Sequence, residues 1–213
     1  MPRASTRPVP DFVLRITLVE TAPPIWRDLL VPGTASFLDL HAAIQLAFPW
    51  TNSHLHQFTA KGERISDRRF EFDVPVRDER RLLLKNVVRK VGDEFTYDYD
   101  FGDDWRHHVV VTEVRPGTTG ARSPKFRCLG GARACPPDDC GGTPGYEDLL
   151  VALADPKHER HQELTGWLRS YRAELAGYDR RFRGPFVPSD FDVAAADRAL
   201  SRLVPGEGLP ELD

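Results

Sequence analysis

Phe12, Leu14, Ile16 and Leu18 alternate with Val13, Arg15, Thr17 and Val19, and this period of two predicts a β-strand. Ala22-Pro23-Pro24 forces a turn, because each proline fixes its own φ and pushes its predecessor out of the helical region. Ile25 to Val31 is the returning strand of a hairpin, stopped by Pro32-Gly33. A helix follows. Ser36 is a suitable N-cap with Asp39 three residues on, an acidic variant of the capping box. Phe37, Leu40, Ile44 and Phe48 recur at helical spacing and are expected to face the hairpin, and Pro49 ends the element.

Further on, His54 to Ala60 reads as a third strand. Lys61 to Lys90 is dense in Arg, Asp and Glu, with a strand expected around Phe70 to Val74 and a helix from Asp78 to Val88. Phe95, Tyr97, Tyr99 and Phe101 fall on one face of a strand; Thr96, Asp98 and Asp100 fall on the other, solvated one. Gly102-Asp103-Asp104 supplies turn chemistry, Trp105 to Val114 is the partner strand, and Arg115 to Pro124 is a loop. Thr143-Pro144 opens a helix running to about Ala154, and Asp155-Pro156 repeats that start signal. The second helix carries the stripe Leu164, Trp167, Leu168, Tyr171 and Leu175, Gly184-Pro185 and Pro188 break it, and a last helix follows Ser189. This order predicts an α+β protein: an α/β roll with an N-terminal hairpin-helix unit, further antiparallel strands and C-terminal helices. One domain is expected over residues 11–203, with a flexible N-terminus (1–10) and a flexible tail (204–213).

A chain of 213 residues can bury a proper core without disulfides. Its net charge of −3 leaves no electrostatic footprint for nucleic acid or for an anionic membrane. No stretch approaches the roughly 20 apolar residues of a membrane span, and no signal core follows the N-terminus, so a cytoplasmic location is expected. Three cysteines without a Cys-x-x-Cys pair suit a reducing compartment.

Four strings carry a family resemblance: PPIWRDLLVPGTASFLDLHAAIQLAF, WTNSHLHQF, FTYDYDFGDDWRHHVVV and ACPPDDCGGTPGYEDLL. In order and spacing the chain resembles the plasmid pRiA4b ORF-three-like family, also known from passenger genes of a mobile element. The resemblance implies an α/β roll and brings no established activity with it. It also implies an association with mobile elements, which by analogy makes nucleic acid a partner to consider. Two departures stand out. Pro136-Pro137-Asp138-Asp139 replaces the family's usual Pro-Pro-Glu-Asp, and the segment from Gly166 to Gly184 is longer and more basic than the family pattern, as an embellishment with its own contact would be.

The chemistry-bearing residues concentrate in these strings. On a strand, His54 and His56 point to one face; His107 shares a face with Trp105, and His108 points the other way. Cys128, Cys135 and Cys140 lie in or beside a proline-stiffened loop with Asp138 and Asp139. Brought together, His54, His56, His107, Cys135 and Asp138 form a nitrogen, sulfur and oxygen donor set that suits zinc. The structural alternative has a core histidine bonded to a carbonyl, Cys135 as a small buried residue and Asp139 bracing the loop. A Cys135 nucleophile with His107 or His54 as base is opposed by Pro136, which removes an N–H that an oxyanion hole needs. The Asp98, Asp100, Asp103 and Asp104 group lacks the ligand alternation of a calcium loop. Trp26, Trp50, Tyr97, Tyr99 and Trp105 alternate with polar residues as a core face does, rather than as a base-stacking platform. The functional reading is a binding or accessory module of unknown ligand, with room for a structural metal. The alternatives are a metal- or thiol-dependent hydrolase and a nucleic-acid-associated accessory protein.

Overall fold

The structure is a computed structural model describing residues 9–69, 75–117 and 125–209. β1 (Asp11–Leu18) and β2 (Ile25–Pro32) form the hairpin, with Leu14 opposite Leu29, and α1 (Phe37–Ala47) follows directly. Next come β3 (His56–Ala60), β4 (Glu63–Ser66), β5 (Arg77–Asp78) and α2 (Leu84–Val87). β6 (Glu94–Tyr99), β7 (Trp105–Arg115) and β8 (Arg127–Ala132) complete one sheet of order β5-β4-β3-β6-β7-β1-β2-β8. Its neighbours run antiparallel except β4 and β5. α3 (Gly142–Ala154), α4 (His161–Leu175), a 3-10 turn (Arg180–Phe182) and α5 (Val193–Leu200) end the chain. The fold is mixed α+β.

The Ser36 cap forms as its spacing predicts: Ser36 Oγ accepts from the Asp39 amide at 3.1 Å and Asp39 Oδ2 accepts from the Ser36 amide at 2.8 Å. The helix it starts is buried almost all round, more than a single apolar stripe implies. Phe37 meets Phe58 and Phe95 edge-on at 5.0 and 5.6 Å, so α1 lies on the sheet over β3 and β6. At its C-terminal end the Ala47 carbonyl accepts from Arg27 of β2 at 3.0 Å, which carries the contact onto the hairpin. α5 packs on α1 as well, and beyond it the Gly206 amide donates to Asp39 Oδ1 at 2.6 Å. The tail through Leu209 therefore packs on the core, where Leu203 is buried.

One local expectation changes. The helix over Asp78 to Val88 is instead the two-residue β5 and the single turn α2. Tertiary hydrogen bonds take its backbone: the Phe37 amide donates to the Leu82 carbonyl and the Leu84 amide to the Ala35 carbonyl, clipping the segment to the start of α1. The strand expected at Phe70 to Val74 falls outside the described residues. β8 had no pattern to find, because Arg127–Ala132 lacks alternation and holds two glycines. A Cβ on Gly131 would sit 2.2 Å from the Phe191 ring, so the residue has to be bare where the chain closes over β2.

Candidate metal centre and the loop that builds it

Residues 133–141 form a loop fastened along its length. The Ala134 amide donates to the Pro188 carbonyl, and Trp50 Nε1 donates to the Pro136 carbonyl at 3.0 Å. Asp138 Oδ2 accepts from the amide and hydroxyl of Thr51 at 2.9 and 2.7 Å. The Asp138 amide donates to the Tyr171 hydroxyl at 3.2 Å, and the Gly141 amide to Asp103 Oδ2 at 3.1 Å. Gly142, at φ 67°, leaves no space for a Cβ, which would fall 2.6 Å from the Asp103 carbonyl. The loop is thereby pressed against the β6–β7 turn.

That contact assembles three side chains. His54 lies in the α1–β3 connection, Asp100 at the end of β6, and Asp139 in the loop. His54 Nε2 is 3.6 Å from Asp100 Oδ2 and 3.2 Å from Asp139 Oδ1, and the three ligand atoms lie within 4.8 Å of one another. Asp100 and Asp139 both have left-handed backbones, at φ 56° and 59°. This turns Asp100 inward from the solvated face expected of it, and it is 7% exposed. Its other oxygen accepts from the Gly102 amide at 2.9 Å, leaving Oδ2 free to face the imidazole. His54 Nε2 is shielded from solvent and has no hydrogen-bond partner among the described residues.

The remaining residues of the expected donor set are not part of this cluster. His54 precedes β3 rather than lying on it, so the shared-face argument for His54 and His56 does not apply. His56 Nε2 lies 2.7 Å from Glu79 Oε2, and its ring stacks on His41 at 3.5 Å. His107 is wholly buried between Phe48 and Trp50, with Nδ1 3.1 Å from the Tyr97 carbonyl, while His108 points outward to Glu94. Asp138 reaches from the loop to Thr51; its Oδ1 is buried without a partner among the described residues, and burial raises its pKa. The structure therefore brings His54 into a cluster and leaves His56, His107, Cys135 and Asp138 outside it. Asp100 and Asp139 enter because of backbone turns that spacing along the chain does not encode.

The cysteines are free thiols. Burial pushes Cys128 up to about 11 and raises Cys135 and Cys140 as well, with the Arg27 charge only partly offsetting the effect at Cys135. A protonated, enclosed thiol is a poor nucleophile. Alkylation of Cys135 in the folded protein is expected to be slow, and Cys135→Ser to cost about 1–3 kcal/mol in chemical denaturation. Fast alkylation together with an unchanged midpoint in the serine variant would contradict this. The aromatic face is likewise enclosed: Trp50, Tyr97, Tyr99 and Trp105 are buried, and Trp26 is covered by Arg15 at 3.8 Å.

The sequence profile of plasmid pRiA4b ORF-3-like proteins matches residues 10–194. The chain belongs to that family. It is 36% identical over 187 residues to the uncharacterized protein y4hQ of Sinorhizobium fredii (strain NBRC 101917 / NGR234), covering 86% of this chain and 84% of that one. Among solved structures it resembles the protein of unknown function MM3350 from Methanosarcina mazei Go1. That likeness has 30% identity and a TM-score of 0.72, and covers 87% of this chain and 96% of the other. This member of the pRiA4b ORF-3-like family thus shares its fold with relatives that bring no activity. No helix among the described residues is long and apolar enough to cross a membrane.

Proposed function

We propose that this protein is a binding or accessory module that holds a divalent metal at His54, Asp100 and Asp139. One observation carries the reading: a solvent-shielded imidazole nitrogen without a hydrogen-bond partner faces two carboxylate oxygens at 3.2 and 3.6 Å. Two ligands bound tetrahedrally to zinc at about 2.0–2.1 Å stand about 3.3 Å apart, so the spacing suits an ion between them. One imidazole with two carboxylates suits zinc or manganese. An ion there would tie the α1–β3 connection, the β6–β7 turn and the loop 133–141 together, which is a structural role. A metal-dependent hydrolase would use the same corner with water in an open position. A thiol-dependent hydrolase has less support, because Cys128 and Cys135 are buried, and so has a nucleic-acid accessory role, because Trp50, Tyr97, Tyr99 and Trp105 face the core.

The test is elemental analysis of protein purified without a histidine tag, followed by titration of the stripped protein with zinc and manganese. About one ion per chain is expected, with His54→Ala and Asp100→Asn each weakening affinity about 10–100-fold. At an ion concentration of about 100 times Kd the native state gains about 2.7 kcal/mol, seen as a rise in Tm. A stripped protein whose Tm responds to neither ion would overturn the reading.

A further inference from the structure

Beside the loop residues Ala134–Pro137 lies a cavity of about 420 Å³, inside the range of small-molecule sites. It is bounded by Cys135–Pro137 of the loop, by α4, by the 3-10 turn and by the start of α5. Six arginines line it (Arg27, Arg172, Arg180, Arg181, Arg183 and Arg198) against two carboxylates, Asp190 and Asp192. Among the described residues, the ion pairs made by these arginines are Arg181 with Asp179 at 2.6 Å and Arg198 with Asp192 at 4.0 Å. Arg27, Arg172, Arg180 and Arg183 have no carboxylate within ion-pair distance among those residues.

Arg27 makes the imbalance costly. It is 1% exposed, and its guanidinium donates to four carbonyls, of Trp26, Ala47, Ala132 and Arg133, at 2.7–3.0 Å. Carbonyl dipoles solvate a cation without neutralising it, and an isolated charge in a low-dielectric interior attracts an anion strongly. Burial lowers its pKa to about 10 and lowers that of Arg172 as well, as expected of cations short of counter-charge. The other wall is aromatic. Phe191 and Phe48 lie 3.7 and 4.8 Å from the Arg27 guanidinium carbon, and Phe182 and Phe186 lie 5.6 and 5.8 Å from that of Arg172.

We propose that this cavity is a binding site for a small organic anion, whose carboxylate or phosphate meets Arg172, Arg180 and Arg183 and whose flat apolar part lies against Phe182 and Phe186. Guanidinium forks match both oxyanions, and the aromatic rings supply the apolar contact. Arg180 and Arg183 belong to the basic Gly166–Gly184 segment. The site does not depend on a metal at His54.

Isothermal titration of the full chain with phenyl phosphate, benzoate, inorganic phosphate and phenol tests it. At least one aromatic anion is expected to bind about tenfold or more tighter than both phenol and inorganic phosphate, weakening with salt. Tighter binding of phenyl phosphate assigns the site to phosphate esters, and tighter binding of benzoate to carboxylates. The double variant Arg180→Gln, Arg183→Gln should weaken binding about tenfold with an unchanged Tm, and Arg169→Gln, outside the cavity, by less than about twofold. No aromatic anion binding below about 10 mM, phenol or inorganic phosphate binding as tightly as the aromatic anions, or indifference to the double substitution would each overturn the proposal. Metal titration is a separate readout, so the two sites can fail independently.

Discussion

Glu79→Ala is expected to destabilise the protein by about 3–5 kcal/mol, the cost of removing one partner of a buried polar pair. Glu79 is 1% exposed, and its carboxylate lies 2.7 Å from His56 Nε2 beneath β3. The pair sits in a wider network: His56 stacks on His41, whose Nδ1 lies 2.9 Å from the Tyr97 hydroxyl and whose Nε2 lies 2.7 Å from Asn52 Oδ1. Asn52 Oδ1 accepts from His41 Nε2, so the imidazole proton sits on Nε2 and Nδ1 accepts from the Tyr97 hydroxyl, which in turn accepts from Gln45 Nε2 at 3.0 Å. Without Glu79, His56 has lost its acceptor. Glu79→Gln keeps an acceptor and should cost less, about 1–2 kcal/mol. The double variant Glu79→Leu, His56→Leu removes both polar groups and should be more stable than Glu79→Ala. Urea denaturation reads all three, and a loss under about 1 kcal/mol for Glu79→Ala would show that the pair is not a structural one.

Acid should destabilise the protein from about pH 6.5 downward. His107 is enclosed by Phe48, Trp50 and Tyr97, and burial lowers its pKa to about 3. His41 shifts in the same direction, through burial first and then through the neighbouring His56. In the unfolded chain a histidine takes up its proton near pH 6.5. Between about pH 6.5 and pH 3 the unfolded state therefore binds protons that the native state refuses, and stability falls as pH falls through that window. For His107 the loss is roughly 4–5 kcal/mol by pH 3, and His41 adds to it. Above pH 6.5 neither group contributes a slope. Melts at pH 7, 5 and 4 should show a steadily falling Tm, and His107→Leu should flatten the dependence. A wild-type Tm that is level from pH 7 to pH 4 would mean that these imidazoles are not held neutral.

Legibility differed by the range of the interaction. The β1–β2 hairpin, the Ser36 cap and the β6–β7 pair were readable because each rests on near neighbours: period-two alternation, an N-cap with its acid three residues on, and a Gly-Asp-Asp turn. His107 and His108 fell on the faces that strand parity assigns. The reading failed where backbone hydrogen bonds cross the chain. Residues 78–88 have helical composition, yet their amides and carbonyls pair with the start of α1. β8 exists because β2 offers it an edge and Phe191 needs its glycine bare.

The candidate site divides in the same way. By itself the sequence determined the α+β class, the family strings and the loop with its acids and cysteines, since composition and short-period patterning set these. It also marked Gly166–Gly184 as unusually basic, without a place to put that charge. Only the tertiary structure decided which side chains meet. His54 joins Asp100 and Asp139 because three connections converge and two aspartates take left-handed turns. His56 and His107 go to other partners, and Cys135 is buried in the core cluster. Arg27 became a buried cation once α1 and β8 had closed around it with carbonyls rather than carboxylates. Spacing along the chain fixes the face of a strand or helix on which a residue stands. Which faces close on one another depends on contacts between residues far apart in sequence, and those contacts place the chemistry.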